Sequence, residues 1–214
     1  MQILKNKKAI VFDLDGVLFH SSSAHETAFS QTFAEFELPP INYHEISGMR
    51  TDEAFKFCLT RNDTPFTELL ISQLTIRKSE LAHKILSNHP PIPPNCYSII
   101  QTLAKTHLLT IASSSSSKNV SLFLEASKTK HLFSHVISGE DVNRAKPFPD
   151  IFLDSLESLS LSPDQAVIIE DSVNGIVAGR RAKVEVIGFS EDNDSNLIQA
   201  GASVVISNLE ELIT

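Results

Sequence analysis

Ala9-Ile-Val-Phe-Asp13-Leu-Asp15-Gly16-Val-Leu18 is the stretch from which the fold of this chain is read. Four apolar residues with no polar alternation describe a strand buried on both faces. The run stops at two aspartates, and Gly16 stands where the chain must turn sharply away from the strand. The same pattern returns along the sequence: LLTIA before Ser113, HVIS around Val136, AVII before Glu170, EVIGF around Ile187 and SVVIS near the C-terminus. Helix-length stretches separate most of these runs, among them Lys118 to Ala126, Pro149 to Leu159 and Asn174 to Ala182, with Pro149 suited to a first helical turn. Buried strands alternating with helices predict an α/β fold, a doubly wound, Rossmann-like parallel sheet covered on both faces.

One interval departs from this rhythm. Between Phe19 and His89 no strand is evident, but helical spacing runs through Ala24 to Phe36, Thr51 to Leu59 and Thr67 to Leu86. Pro90, Pro91, Pro93 and Pro94 then exclude a continuous helix and mark a stiff hinge. The expected organisation is a core domain of residues 1–18 and 93–214 and an inserted α-helical cap domain of residues 19–92. There is no internal repeat, and the serine run Ser113 to Ser117 is the one low-complexity segment.

The chain has 214 residues, 42% of them hydrophobic, which is enough for a sizeable core. A formal charge of −8 provides no broad basic surface for a phosphate backbone, so neither nucleic acid nor an anionic membrane is expected as a partner. Cys58 and Cys96 lie far apart and outside any CxxC spacing, which reads as two reduced thiols. Behind the basic residues of 1–8 the apolar run lasts only from Ala9 to Phe12, too short for a signal-peptide core. No apolar stretch approaches the roughly 20 residues that span a bilayer. The expected location is the cytoplasm, and the expected form a monomer or weak homodimer.

Ligands of an open parallel sheet bind beyond the carboxyl ends of its strands. The polar residues in that position are Asp13 and Asp15, then Ser113, then Glu170 and Asp171. So many carboxylates at one edge repel unless a cation sits among them, and oxygen-only ligands suit Mg²⁺ better than zinc. Phosphoryl transfer fits the remaining parts, because it depends on positioning and on neutralising charge on the equatorial oxygens. Ser113 offers a hydroxyl there, and Lys146 of RAKPFPD a positive charge.

FDLDGVL, IASS, KPFPDIF and IIEDSVNGI, in that order, closely resemble the four motifs of the haloacid dehalogenase superfamily, in its branch of β-phosphoglucomutase and sugar-phosphate phosphatases. The resemblance implies that Asp13 attacks phosphorus and that Asp15 protonates the leaving oxygen and later activates water. It assigns Ser113 and Lys146 to the phosphate, and Asp13, the Asp15 backbone carbonyl, Glu170 and Asp171 to Mg²⁺. It also implies that the cap moves over the site. Within the cap, His25 stands at the family's entry histidine, SGMRTDE with Gly48 and Arg50 resembles the specificity loop, and Lys78 aligns with a lysine used by the mutases. The chain departs from the family pattern at His20-Ser21, at Arg50-Thr51 and at Lys183, which replaces a common glycine. Its serine loop is about two residues longer than in the mutases, which makes Ser114 a rival to Ser113.

Other readings account for less of the sequence. An EF-hand needs an oxygen ligand two residues after the second Asp, where Val17 stands. His131 and His135 have i, i+4 spacing but no accompanying HExxH glutamate. A phospho-acceptor receiver domain places its acidic pair after the first strand and has no use for a helical insert. The expectation is a Mg²⁺-dependent phosphatase of a small phosphorylated metabolite, a sugar phosphate above all, with a β-phosphoglucomutase-like phosphomutase as the alternative.

Overall fold

The computed structural model describes residues 2–192 and 195–214. Six strands form one parallel sheet: β1 (Ala9–Phe12), β2 (Leu108–Ala112), β3 (His135–Ile137), β4 (Ala166–Glu170), β5 (Glu185–Phe189) and β6 (Val204–Ile206), in the spatial order β3-β2-β1-β4-β5-β6. The doubly wound α/β expectation holds. Strand order reverses between β1 and β4, so the crevice at their carboxyl ends is the place where such a sheet receives a ligand. Phe12 is in register with both Ile111 and Ile169, so the residues that follow the three strands emerge side by side.

Both faces of the sheet are buried. Ile10 and Phe12 of β1 join Val167 and Ile169 of β4 in one apolar cluster, while Ala9, Val11, Ala166 and Ile168 join the cluster on the opposite face. This is why the strands read as unbroken apolar runs.

From β1 the chain enters α1 (Ser22–Glu35), α2 (Tyr43–Ile46), α3 (Thr51–Arg61) and α4 (Glu68–Asn88). These helices enclose their own core, where the Phe55 ring meets Phe29 at 5.2 Å and Phe33 at 5.4 Å. Each such pair is worth roughly 0.5–1.5 kcal/mol beyond its area. Thr67 starts α4 by accepting a hydrogen bond from the Leu70 N–H. The helix ends at Asn88, two residues before Pro90, because the residue preceding a proline disfavours helical geometry. The outgoing and returning linkers are joined where the His20 N–H donates to the Pro91 carbonyl at 3.0 Å.

The core resumes with α5 (Cys96–Leu103) and continues as β2, α6 (Ser117–Ser127), β3, α7 (Asp150–Ser158), β4, α8 (Val173–Arg181), β5, α9 (Ser195–Ala200) and β6. Helix α5 went unread in the sequence because it is short and follows prolines. Its Cys96, Ile99, Ile100 and Leu103 nevertheless keep i, i+3, i+4, i+7 spacing and are all buried. Both cysteines are free and buried, and burial pushes each thiol up to about 11. Lys183, where the family favours glycine, adopts a left-handed φ of 61° between α8 and β5. Among the described residues no helix is long and apolar enough to cross a membrane.

Candidate active site

Asp13 follows β1 directly and is fixed by its own N–H, which donates to the Ile169 carbonyl at 2.9 Å. Its Oδ1 accepts from Lys146 Nζ at 2.5 Å. The same ammonium donates to Glu170 Oε2 at 2.8 Å and to the Ala112 carbonyl at 3.2 Å, so all three of its N–H bonds are used. Burial opposes a charge on Lys146, but Asp13 and Glu170 outweigh it and hold the ammonium protonated well above the usual lysine range. Glu170, the last residue of β4, is wholly buried; its other oxygen accepts from the Ser172 N–H and hydroxyl. Ser172 in turn caps α8 by accepting from the Gly175 N–H at 3.0 Å.

Oxygens of Asp13, Glu170 and Asp171 lie within 4.8 Å of one another. Burial and then the charge of Glu170 raise Asp13 and Asp171 well above the usual carboxylate range, and Lys146 only partly offsets this. Three converging carboxylates and one ammonium leave the site short of positive charge, and the donors are all hard oxygens, a set that fits a divalent cation of the Mg²⁺ type. Two glycines make room for these carboxylates. A Cβ on Gly16, whose φ is 84°, would stand 1.9 Å from Asp171 Oδ2, and one on Gly175 would stand 1.9 Å from the Glu170 carboxyl carbon.

Asp15 lies two residues on, in a different environment. Its Oδ1 accepts from Ser21 Oγ at 2.5 Å and from His25 Nε2 at 2.9 Å; its Oδ2 accepts from Ser115 Oγ at 2.5 Å and, at 3.4 Å, from Ser113 Oγ. Lys78 Nζ lies 3.0 Å from His25 Nδ1. An ammonium only donates, so Nδ1 accepts and the ring proton sits on Nε2, facing Asp15. Burial and then the charge of Lys78 push His25 below its usual value, which keeps the ring neutral near pH 7. Burial alone would raise Asp15, but His25 and the two serine hydroxyls hold it below the usual carboxylate range.

The serine loop is divided by role. Ser113 is fully buried, continues the β2 ladder by donating its N–H to Ile137, and accepts the Ser115 N–H on its hydroxyl at 3.0 Å. Ser114 directs its hydroxyl to the Gly48 carbonyl of the cap at 2.7 Å. Ser115 is the serine that reaches Asp15.

The helical insert is in contact with the core. Asn174 Nδ2 donates to the Ser47 carbonyl at 2.9 Å, and a Cβ on Gly48 would meet Ser172 Oγ at 2.1 Å. Arg50 points away from Asp13 and Asp15: it forms a two-pronged pair with Asp52 at 2.6 and 2.9 Å, and its Nη1 donates to the Val142 carbonyl at 2.9 Å. Between cap and core remains a polar cavity of about 50 Å³, which Asp13, Asp15, His25, Phe29, Lys78 and Ser115 help to line. Lys78 lies 4.4 Å from the centre of the Phe29 ring, and burial brings its ammonium down to about 8.

Sequence reasoning singled out Asp13, Asp15, Lys146, Glu170 and Asp171, and the structure brings them together. It did not assign Ser21, Ser115, Ser172 or Asn174. The spacing [ST]-x-x-G at the start of α8 signals the Ser172 cap, whereas nothing in five consecutive serines marks the one that faces Asp15.

The haloacid dehalogenase-like hydrolase family model matches residues 10–189, and the chain belongs to that family. It is an enzyme of the phosphoric-ester hydrolase kind. It is 25% identical to a pyrophosphatase of Oceanobacillus iheyensis over 97% of this chain and 95% of the relative. It is 27% identical to a phosphoglycolate phosphatase of Pasteurella multocida over 89% of this chain and 88% of the relative. The solved structure of a β-phosphoglucomutase from Clostridium difficile shares the fold, with a TM-score of 0.83 at 22% identity over 96% of this chain and 93% of that one.

Proposed function

We propose that the protein is a Mg²⁺-dependent phosphatase that hydrolyses a small phosphorylated metabolite through a phospho-aspartate on Asp13. The observation that carries this reading is the separation of two aspartates two residues apart, Asp13 against Lys146 and Asp15 among Ser21, His25 and Ser115, with both lining one cavity.

An Asp13 carboxylate oxygen attacks phosphorus, the bond from phosphorus to the leaving oxygen breaks, and Asp15 supplies that oxygen with a proton. In the second half Asp15 takes a proton from water, whose oxygen attacks the aspartyl phosphate; inorganic phosphate leaves and the Asp13 carboxylate is regenerated. One group thus serves as acid and then base, and the hydrogen bonds on Asp15 favour its ionised, base form. Lys146 follows the charge that moves between Asp13 and the phosphoryl oxygens, and Ser113 and the serine-loop N–H groups are the neutral donors beside it. Asp13, Glu170, Asp171 and the Asp15 carbonyl would hold Mg²⁺, which when bound neutralises phosphoryl charge. The cap residues His25, Gly48, Arg50 and Lys78, and Ser114 of the core's serine loop, act on substrate through closure: His25 and Lys78 from within the cavity, Gly48, Ser114 and Arg50 by fastening cap to core. Two buried free thiols support a reducing compartment, the cytoplasm.

A phosphomutase that returns the phosphoryl group to a second hydroxyl is the alternative, and the small volume of the cavity, about 50 Å³, is the feature that favours it.

Single turnover in ¹⁸O-water, read by mass spectrometry of the peptide containing Asp13 and of the released phosphate, tests the reading. Water attack on phosphorus puts ¹⁸O in the phosphate and none in Asp13, and Asp13→Asn lowers turnover by at least about a thousandfold. Full turnover by Asp13→Asn would refute the mechanism. Primer-dependent conversion of glucose 1-phosphate to glucose 6-phosphate with little phosphate release would select the mutase.

A further inference from the structure

Two consecutive backbone carbonyls of the helical insert are held by side chains from two different segments of the core. The Ser47 carbonyl accepts from Asn174 Nδ2 at 2.9 Å, and the Gly48 carbonyl accepts from Ser114 Oγ at 2.7 Å. The first of these ties lies beside the candidate cation site, because Asn174 belongs to the first turn of α8, which follows Glu170 and Asp171 directly.

Contact there extends beyond the hydrogen bond. Gly48 has a φ of 77° and lies so close to Ser172 that a Cβ would stand 2.1 Å from Ser172 Oγ and 2.8 Å from Ser172 Cβ. The same atom would be 3.6 Å from the Cβ of Asn174, so Ser47 and Gly48 seat on Ser172 and Asn174 together. With the insert in this place Ser172 is only 3% exposed. Its N–H and hydroxyl both donate to Glu170 Oε1, at 3.1 and 2.8 Å, and its hydroxyl also accepts from the Gly175 N–H at 3.0 Å. The other oxygen of Glu170 accepts from Lys146 at 2.8 Å. The direction in which Glu170 faces Asp13 and Asp171 is therefore set by Ser172 on one side and Lys146 on the other. Gly48 covers the Ser172 half of that clamp, and a hydrogen bond to a carboxylate holds more firmly in a dry, low-dielectric place than in a wet one.

Building on the Mg²⁺-dependent phosphatase reading, we propose that Asn174 is a positioning residue that ties the seating of the helical insert to the cation affinity of the core. Its part is indirect: Asn174 keeps Ser47 and Gly48 against Ser172, and Ser172 keeps Glu170 turned toward Asp13 and Asp171. Partners that orient a metal ligand change metal affinity when they are removed. By linkage the effect is reciprocal, so whatever the seated insert adds to cation affinity the cation adds to the seating of the insert. The cation is then held most firmly while Ser47 and Gly48 are seated on α8.

The test uses the full chain with Mn²⁺ as the probe, its affinity read by titration calorimetry, together with amide exchange of residues 43–50 with and without MgCl2. Asn174→Ala is expected to weaken Mn²⁺ binding about three- to tenfold. In a Ser172→Ala background, where the hydroxyl to Glu170 is already gone, the same substitution is expected to change affinity by less than about twofold. MgCl2 is expected to slow exchange in residues 43–50 of the unaltered protein and to lose most of that effect in Asn174→Ala. A merely structural asparagine would lower Tm and leave Mn²⁺ affinity as it is. Unchanged affinity in Asn174→Ala, full additivity with Ser172→Ala, or exchange in residues 43–50 indifferent to MgCl2 would overturn the inference. Any of those results alongside Asp13-dependent hydrolysis of p-nitrophenyl phosphate leaves the phosphatase reading intact. Absence of both Mn²⁺ binding and Asp13-dependent phosphate release removes the two together.

Discussion

Lys78 of α4 donates to Nδ1 of His25 of α1 across 3.0 Å, although the two residues are 53 positions apart in the chain. Because His25 passes its other nitrogen to Asp15 at 2.9 Å, the cap reaches the proposed acid/base of the core through a continuous line of hydrogen bonds. The packing of the helical insert and the state of Asp15 are thereby linked.

Lys78→Met separates function from stability. The ammonium is buried and lowered from 10.5 to about 8, so between those values the unfolded chain keeps a proton that the folded protein has released. Stability from this group therefore rises with pH across that window, and the full cost of the charge, about 3 kcal/mol, is present below it. The variant should be up to about 3 kcal/mol more stable near pH 7 and lose the rise toward pH 10, while kcat/KM falls about 10- to 100-fold. Urea titrations at the two pH values and steady-state kinetics check both halves; equal midpoints for variant and wild type at neutral pH would contradict the first.

Mg²⁺ binding should release protons. The raised Asp13 and Asp171 carboxyls hold protons above the ordinary range and must give them up to ligate a cation, so affinity rises with pH until both are ionised. Without the cation the same shift works against folding: the cost is absent below 3.8 and grows as pH climbs through the raised folded-state values. MgCl2 should thus raise Tm more near neutral pH than near pH 5. Calorimetry in buffers of different ionisation enthalpy counts the protons, and a count of zero would contradict the expectation.

Gly175→Ala places a methyl group on the Glu170 carboxylate and must displace it from Lys146 and Ser172. The expected result is at least about tenfold weaker Mg²⁺ affinity together with a stability loss of about 2–4 kcal/mol. Metal titration by calorimetry and thermal melts measure the two effects, and unchanged affinity would show that Glu170 is not needed at its present position.

Arg50→Ala removes the donor to the Val142 carbonyl and leaves the cap with fewer ties to the core. KM should rise about fivefold or more, and amide exchange should increase in residues 138–143. An exchange pattern identical to wild type would mean that Arg50 does not fasten the cap.

Lys183→Gly should stabilise the protein by about 1 kcal/mol, because a lysine is held there at a left-handed φ that glycine adopts without a Cβ clash. A lower Tm in the variant would contradict this.

Several of these residues could be singled out before any fold was known. Asp13, Ser113, Glu170 and Asp171 were legible because each follows an apolar run, and a parallel sheet sends all its carboxyl ends to one edge. Lys146 was legible only through its motif. Ser115 was not, because the direction of a hydroxyl within five serines depends on the turn that the loop makes after β2. Arg50 was placed near substrate by its motif, yet neighbouring Asp52 and the backbone carbonyls of the opposing loop take its guanidinium.

What the sequence determined by itself was the strand and helix periodicity, and with it the sheet, the helical insert and the acidic edge. These are local properties, fixed by burial on two faces of a strand or one face of a helix. The tertiary structure alone decided what spans distant segments: the Lys78–His25–Asp15 line and the pairing of Lys146 with both Asp13 and Glu170. Those depend on how the cap closes, a packing relationship between surfaces that no single stretch of residues encodes.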